Sequence, residues 1–448
     1  MKDNLTQEQL KKLILSGTKN EIKEVLENIH PADILDILHD EEDENIKEIL
    51  DHLPNDVIGD IIDEEDDEEL SYEWLKLFSK YKQRQILSEV PADTITDMIG
   101  ELEEDQKNEI LRLLNEEDKT DVTDLLKYDP DSAGGIMNTD YIDIHARNTV
   151  KKTLEFLQTN KEEDTTYYLY VVDKDNVLKG VVSLADIATS PFDTPMMDII
   201  NPNVISILYS EDQEEVAKTF SKYGFIMMPV IDEQDHLLGV IDFDDVMDVI
   251  EEESTEDINL LGGVSSEERV DSTVLESFKN RNPWLFVNLI TAIMAASVVN
   301  MFSGTIAKVV ILATINPIIT GMGGNSGTQA LTIVVRGLSL GEIEKGEGFK
   351  ILRKEFCVGI LNGITIGIVV ALGSWLFAGN PWFGVVAGLA MFLNLTVSCI
   401  AGYFVPVVLN RLHIDPALAS SVFVTTFTDM FGFFAFLGLA TLFINLLV

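Results

Sequence analysis

Asp429 is the one charged residue in the 33 positions from Pro416 to Val448. A carboxylate near mid-bilayer costs ~2.5–3.5 kcal/mol on insertion scales, so such a residue faces a protein interior or a water-filled path. Ser421, Thr425 and Asp429 recur every four residues, with Thr426 and Thr428 beside them. That spacing draws one polar stripe along an otherwise apolar helix. Hydroxyls and an acid together suit a hard cation; hydrogen bonds between helices would satisfy the same groups. A second set lies in Asn316-Pro317-Ile318-Ile319-Thr320-Gly321-Met322-Gly323-Gly324-Asn325-Ser326-Gly327-Thr328-Gln329. Four glycines and a proline there predict a broken helix, whose freed carbonyls, with Asn325 and Gln329, would face the water shell of an ion. Close helix packing through small residues is the alternative.

A third set is acidic. At helical spacing Asp245, Asp248 and Glu252 share a face, as do Glu253, Glu256 and Asp257. Like charges so placed repel by about a few tenths of a kcal/mol per pair unless a cation sits among them. A plain solvated helix face is the competing reading. Leu260-Leu261-Gly262-Gly263 ends that helix, and residues 265–282 read as a connecting helix.

The elements that must carry these residues fall into two unlike halves. Of 32 Lys/Arg and 76 Asp/Glu, only 7 and 6 lie from Pro283 onward, which leaves residues 1–282 a net charge of −45. Such a charge repels nucleic acid and anionic lipid head groups and attracts cations. No charge interrupts the 25 residues Pro283–Ala307 or the 27 residues Val309–Val335. None interrupts the 55 residues Phe356–Asn410, which Gly379-Asn380-Pro381 divides in two. With Pro416–Val448 these make five spans, since roughly 20 apolar residues cross the hydrocarbon. Arg336, Lys345, Lys350, Arg353, Lys354 and Arg411 lie in loops on one side, with Lys279 and Arg281, against Lys308 on the other. Basic loops stay inside, which puts the N-terminal half in the cytoplasm of a multi-pass inner-membrane protein and Val448 outside. Met1-Lys2-Asp3-Asn4-Leu5 shows no signal pattern. Cys357 and Cys399 have neither disulfide nor zinc spacing.

Within residues 1–130, His30-Pro31-Ala32-Asp33, Leu53-Pro54-Asn55-Asp56 and Val90-Pro91-Ala92-Asp93 each precede a helix-period segment. Proline with an adjacent acid is a helix start, so this region reads as a loose stack of helical hairpins. From about Ser132 the pattern becomes strand, turn and helix. Leu169-Tyr170-Val171-Val172-Asp173 and Gly180-Val181-Val182-Ser183 lead to Asp186, and Met228-Pro229-Val230-Ile231-Asp232 and Gly239-Val240-Ile241-Asp242 lead to Asp245. Over residues 137–255 this resembles tandem CBS domains. The resemblance implies adenosine-nucleotide binding, with Asp186 on the ribose and Tyr168 at the adenine. Asp242 departs from the usual Ser or Thr of the second motif.

Acidic helical domain, CBS pair, acidic linker and five spans follow the order of the MgtE family of magnesium channels and transporters, which the whole chain resembles. The run Gly321–Gln329 and the run Asp415-Pro416-Ala417-Leu418-Ala419-Ser420 through Thr425-Thr426-Phe427-Thr428-Asp429 carry the likeness. The resemblance implies that Asp429 holds hydrated Mg2+ in a pore lined by Gly321, Gly324, Asn325, Thr425 and Thr428. It places Asp415 at the cytoplasmic mouth. It assigns regulatory Mg2+ to Asp245, Asp248, Glu253, Glu256 and Asp257, with Asp212 and Glu214, and with Asp93 and Asp97 on the helical domain. Gly224 stands where relatives can carry an acid. ATP is implied as a second regulatory ligand, and a homodimer as the assembly.

The expected architecture is therefore multidomain. It comprises an all-α superhelical N domain (1–130), an α/β tandem CBS pair (131–255), an acidic linker and connecting plug helix (256–282), and a five-span α-helical membrane domain (283–448). The expected function is Mg2+ uptake gated by internal Mg2+. A broader divalent transporter for Co2+ or Mn2+, or a CBS-regulated secondary carrier, is the alternative. Anion conduction would call for Arg or Lys within the spans. A metalloprotease needs His-Glu-x-x-His, and none of the six His precedes a Glu. A passive anchor needs one span.

Overall fold

The computed structural model describes residues 6–26, 29–41, 43–65, 67–100, 102–159, 168–266, 268–270, 272–343, 348–418 and 420–448. Met1–Leu5, Lys345 and Ala419, named above, lie outside them. The chain divides into two compact units, Met1–Val249 and Ile250–Val448.

Among the described residues the first unit opens with ten short helices, from α1 (Gln7–Ser16) to α10 (Glu116–Leu125). The three proline phrases each start one: α3 (Pro31–His39), α5 (Asn55–Asp63) and α8 (Ala92–Gly100). A first turn needs no N–H from proline and favours a nearby carboxylate. Most of these helices bury an apolar stripe, such as Ile58, Ile61 and Ile62 of α5. Full burial of one such side chain stabilises by ~1.5–3 kcal/mol. The cluster they form continues through Leu125, Ala133 and Met137 to Val216, Phe220, Val230 and Ile241, in the second of the two modules that follow.

Each of those modules is a three-stranded sheet. In the first, β1 (Asp143–His145) runs parallel to β2 (Tyr168–Val172), which pairs antiparallel with β3 (Leu178–Ser183). In the second, β4 (Ile207–Leu208), β5 (Met227–Ile231) and β6 (Leu237–Asp242) repeat that order. The hairpin turns match as well: Asn176 and Asp235 sit at φ of 60° and 62°, a left-handed conformation that Asn and Asp tolerate. Backbone bonds of 2.9 Å from Leu178 N to Asp235 O and 3.0 Å from Leu237 N to Asn176 O sew the two hairpins together. Helices α11 (Val150–Thr159) and α12 (Leu184–Thr189) belong to the first module, and α13 (Gln213–Tyr223) and α14 (Phe243–Gly262) to the second.

Helix α14 stops where Leu260-Leu261-Gly262-Gly263 predicts. Gly263 takes φ 73°, and its N–H and that of Val264 return to Leu260 O and Asn259 O, each at 3.0 Å. That is the two-bond glycine cap of a helix end. The expected connecting helix over 265–282 is shorter. Helix α15 (Val274–Met301) begins at Val274 and continues through Pro283 without a break.

The second unit continues with α16 (Ser303–Lys308), α17 (Leu312–Ser339), α18 (Gly348–Ala378), α19 (Pro381–Arg411), α20 (Ser420–Leu442) and α21 (Ile444–Leu447). Four of these helices, α15, α18, α19 and α20, are long and apolar enough to cross a membrane. Helix α17 has the length, at 28 residues, but its glycine and amide run dilutes its apolar character. It is also unbroken: the expected interruption is absent, and Pro317 lies inside a continuous helix. The glycines mostly serve contact. Gly359 and Gly363 of α18 meet Thr396 and Phe392 of α19, and Gly384 and Gly388 of α19 meet Trp375 and Ala371 of α18. Four-residue spacing of small residues lets backbones approach in this way.

Candidate cation pathway and acidic sites

Asp429 lies near the middle of α20, half-buried, and among the described residues its carboxylate has no hydrogen-bond or ion-pair partner. One turn earlier Thr425 donates to Ser421 O at 2.8 Å, which leaves the lone pairs of its hydroxyl available. Its Cγ2 lies 4.0 Å from where a Cβ on Gly324 would stand, so the polar stripe of α20 adjoins the glycine run of α17. A Cβ on Gly321 would meet nothing within 4 Å, and Asn325 is exposed. One side of α17 thus presents bare backbone and an amide beside Thr425. The adjoining face, one turn on, packs against the same helix. A Cβ on Gly327 would fall 2.6 Å from Val424 and 3.3 Å from Thr428. Thr428 is 0% exposed and donates to Thr425 O at 3.0 Å, so it belongs to this packed contact and not to the open side. Asp415 precedes α20, where its Oδ1 accepts from Ala417 N at 2.8 Å.

Sequence reasoning missed Asn394. It is fully buried on α19, and its Nδ2 donates to Ile319 O of α17 at 2.8 Å. Nothing marks it in the sequence, because one amide in an apolar run reads as packing.

Asp245 stands six residues after Gly239, as Asp186 stands six after Gly180. The two carboxylates are held differently. Ser183 donates its hydroxyl to Asp186 Oδ2 at 2.5 Å, whereas Asp242 offers only its backbone N–H, 3.2 Å from Asp245 Oδ2. Burial, reinforced by Asp244, pushes Asp245 up to about 7. Burial also pushes Asp93 well above the usual carboxylate range, and the charges of Asp245, Asp63 and Asp97 add to the effect. One oxygen of Asp93 is buried without a hydrogen-bond partner among the described residues. Asp63, which sequence reasoning did not single out, accepts from the Thr94 hydroxyl beside it. Acids pressed together in this way call for a proton or a cation.

Among the described residues no group of three or more His, Cys, Asp or Glu is gathered to hold a metal ion. Mg2+ keeps several waters and is commonly bound through one or two carboxylates, so paired acids with an orphaned oxygen fit it. Asp248 is exposed on α14, and Asp97 is exposed on α8. Asp212 is occupied in capping α13, accepting from Glu214 N at 2.9 Å, and Glu214 pairs with Lys218 at 3.1 Å. Gly224 closes that helix at φ 67°, a left-handed conformation that suits glycine.

Within the second unit Glu253, Glu256 and Asp257 are partly buried along the end of α14. Asp257 accepts from the Ser339 hydroxyl of α17 at 3.0 Å. Leu260 packs with Leu331, Val335, Ala417 and Val424. The last turn of α14 is thereby fastened to the helices that carry Gly324 and Asp429.

In the first sheet Tyr168 lies opposite Ser183 in register and is exposed. With Ser183 bound to Asp186, the two residues predicted to touch a nucleotide come to one edge of the module.

Comparison with known proteins agrees with this organisation. Residues 316–439 match a family described as a divalent cation transporter, 29–131 its intracellular N domain, and 133–192 and 196–252 CBS domains. A magnesium transporter MgtE of Thermus thermophilus is 32% identical, over 97% of each chain. One of Enterococcus faecalis is 36% identical over 74% of this chain and 73% of its own. The crystal structure of the cytosolic domain of the Mg2+ channel MgtE in complex with ATP is 32% identical, with a TM-score of 0.51. It covers 55% of this chain and all of its own.

Proposed function

Because the chain belongs to the MgtE family of magnesium transporters, we propose that it is a homodimeric, Mg2+-selective pore that mediates uptake and is closed by internal Mg2+. The observation that carries this reading is the unpartnered, half-buried Asp429, set in an apolar helix beside Thr425 and the open side of α17. Mg2+ gives up water reluctantly. One carboxylate per chain with neutral oxygens around it would hold the ion through its water shell. Gly321, Gly324, Asn325 and Thr425 are the lining we assign, with Asp415 at the inner mouth. Five crossings, α15 and α17 to α20, would place residues 1–282 in the cytoplasm and Val448 outside, in keeping with the basic loops.

Control follows from charge. With little internal Mg2+ the net −45 of residues 1–282 drives the acidic regions apart and the pore opens. With abundant Mg2+, ions held by Asp93, Asp97, Asp245 and Asp248, and by Glu253, Glu256 and Asp257, neutralise that repulsion and keep it closed. Asp212 and Glu214 are weaker candidates, since both already have local partners. Many weak sites can supply the few kcal/mol such a population shift needs. ATP, which the related cytosolic domain binds, would sit at Tyr168 and Asp186 as a second regulator.

The test is Mg2+ flux into liposomes for wild type and Asp429→Ala, with Co2+ and Ca2+ as competitors. Loss of flux in the variant is expected, and equal flux in both would refute the pathway. Deletion of residues 1–255 should leave a pore that millimolar internal Mg2+ no longer shuts.

A further inference from the structure

The side chain of Asn394 occupies a slot that two other helices leave for it. A Cβ built on Gly323 of α17 would fall 2.1 Å from Asn394 Nδ2, and one on Gly432 of α20 would fall 2.8 Å from the same atom. Both glycines are needed by this one amide. It is 0% exposed, it donates to Ile319 O at 2.8 Å, and among the described residues its Oδ1 has no partner. Buried polar groups are nearly always hydrogen-bonded, so an amide held with one end unpaired calls for a structural reason.

The glycines it touches lie on the two helices that carry the proposed pathway. Gly323 lies between Gly321 and Gly324, whose side of α17 is open. Gly432 follows Asp429 by three residues and so lies one turn along α20 on a neighbouring face. Pro317, one turn before Thr320, removes a backbone donor from α17. The Asn394 amide donates two residues further on, to Ile319 O.

We propose that Asn394 is a positioning residue for ion discrimination: wedged between Gly323 and Gly432, it fixes the separation of α17 from α20, and hence of the open glycine side from Asp429. It acts through the helices and does not touch the ion. This rests on the pore reading given above. A pathway that takes an ion with its water shell must hold a set width, because Ca2+ tolerates flexible and variable coordination while Mg2+ does not. A pathway free to breathe would lose that distinction before it lost conduction.

The experiment is uptake of Mg2+ and Ca2+ by the full-length protein in liposomes, for wild type, Asp429→Ala, Asn394→Ala, Asn394→Ser, Gly323→Ala and the double variant Gly323→Ala with Asn394→Ala. Thermal melting and gel filtration report the folded fraction. Asn394→Ala is expected to raise the Ca2+ to Mg2+ uptake ratio about fivefold or more, which is about 1 kcal/mol of discrimination lost. Asn394→Ser should shift it the same way, so the outcome does not hang on one variant folding. Gly323→Ala alone should lose Mg2+ uptake, and removing the Asn394 amide should restore part of it. An unchanged ratio in both Asn394 variants, with uptake tracking only the folded fraction, would overturn the positioning role. If Asp429→Ala carries Mg2+ as well as wild type, the pore reading itself fails. If Asp429→Ala is inactive and the Asn394 ratio is unmoved, only the present inference fails.

Discussion

Gly324 and Thr425 stand side by side on two helices of one chain, with 4.0 Å between the threonine Cγ2 and the point where a glycine Cβ would lie. Three residues on, the corresponding distance from Gly327 to Val424 is 2.6 Å. One glycine keeps a surface low; the other lets two helices touch. Gly324→Ala is therefore expected to fold with wild-type thermal stability yet carry less Mg2+, by several-fold. Gly327→Ala forces an overpacked contact and should lose about 1–3 kcal/mol of stability. Thermal unfolding and liposome flux of both variants separate the two roles.

Protons should compete with Mg2+ at Asp245 and Asp93. Burial and the charge of Asp244 raise Asp245 to about 7, and burial and the charge of Asp245 raise Asp93. An acid whose folded-state pKa is raised binds more protons folded than unfolded, so its contribution favours folding at low pH and is lost as pH rises. For Asp245 the window runs from the ordinary carboxylate value near 3.9 up to about 7. In Mg2+-free buffer, Asp245→Asn should flatten the fall in melting temperature across that window. Added Mg2+ should stabilise the wild type more at pH 8 than at pH 6. Equal stabilisation at both values would argue that no ion replaces the proton there.

Restoring an acid at position 224 should not restore a sensor. Gly224 sits at φ 67°, and a residue with a Cβ pays about 1–2 kcal/mol in that region. Gly224→Glu is expected to lower the melting temperature, while Gly224→Asn, which tolerates left-handed backbone, should cost less. A Glu variant with unchanged melting and tighter Mg2+ response would contradict this.

Nucleotide binding is expected at one module only. Asp186 is oriented by a hydroxyl donor, and Asp245 is not. Calorimetric titration with ATP should give a single site per chain that Asp186→Ala abolishes and Asp245→Asn leaves in place. A second site lost in Asp245→Asn would show that both modules take nucleotide.

Much of this was legible from residue order alone. Proline-plus-acid phrases open α3, α5 and α8, because a helix start has specific needs that few residues meet. The Gly–Asp spacing exposed both CBS modules for the same reason. Helix α17 misled, since glycine and proline weaken a helix only when nothing else supports them. Here Val424, Thr428 and Asn394 press against its glycines, and tertiary contact overrides propensity. Asn394 and Ser339 were invisible: each matters through a partner 75 or 82 residues away, and spacing rules see only near neighbours. Asp63 was missed because Asp93, whose carboxyl feels its charge, lies on another helix.

The Ser339 hydroxyl on Asp257 and the seat of Leu260 give the acidic helix a short lever on the membrane helices. A small tilt at that end would be delivered to α17 and α20 together, the pair we propose as the walls of the pathway. Sensor and filter can then evolve apart. The chemistry that senses an ion needs no resemblance to the chemistry that passes one, so long as the fulcrum between them is kept.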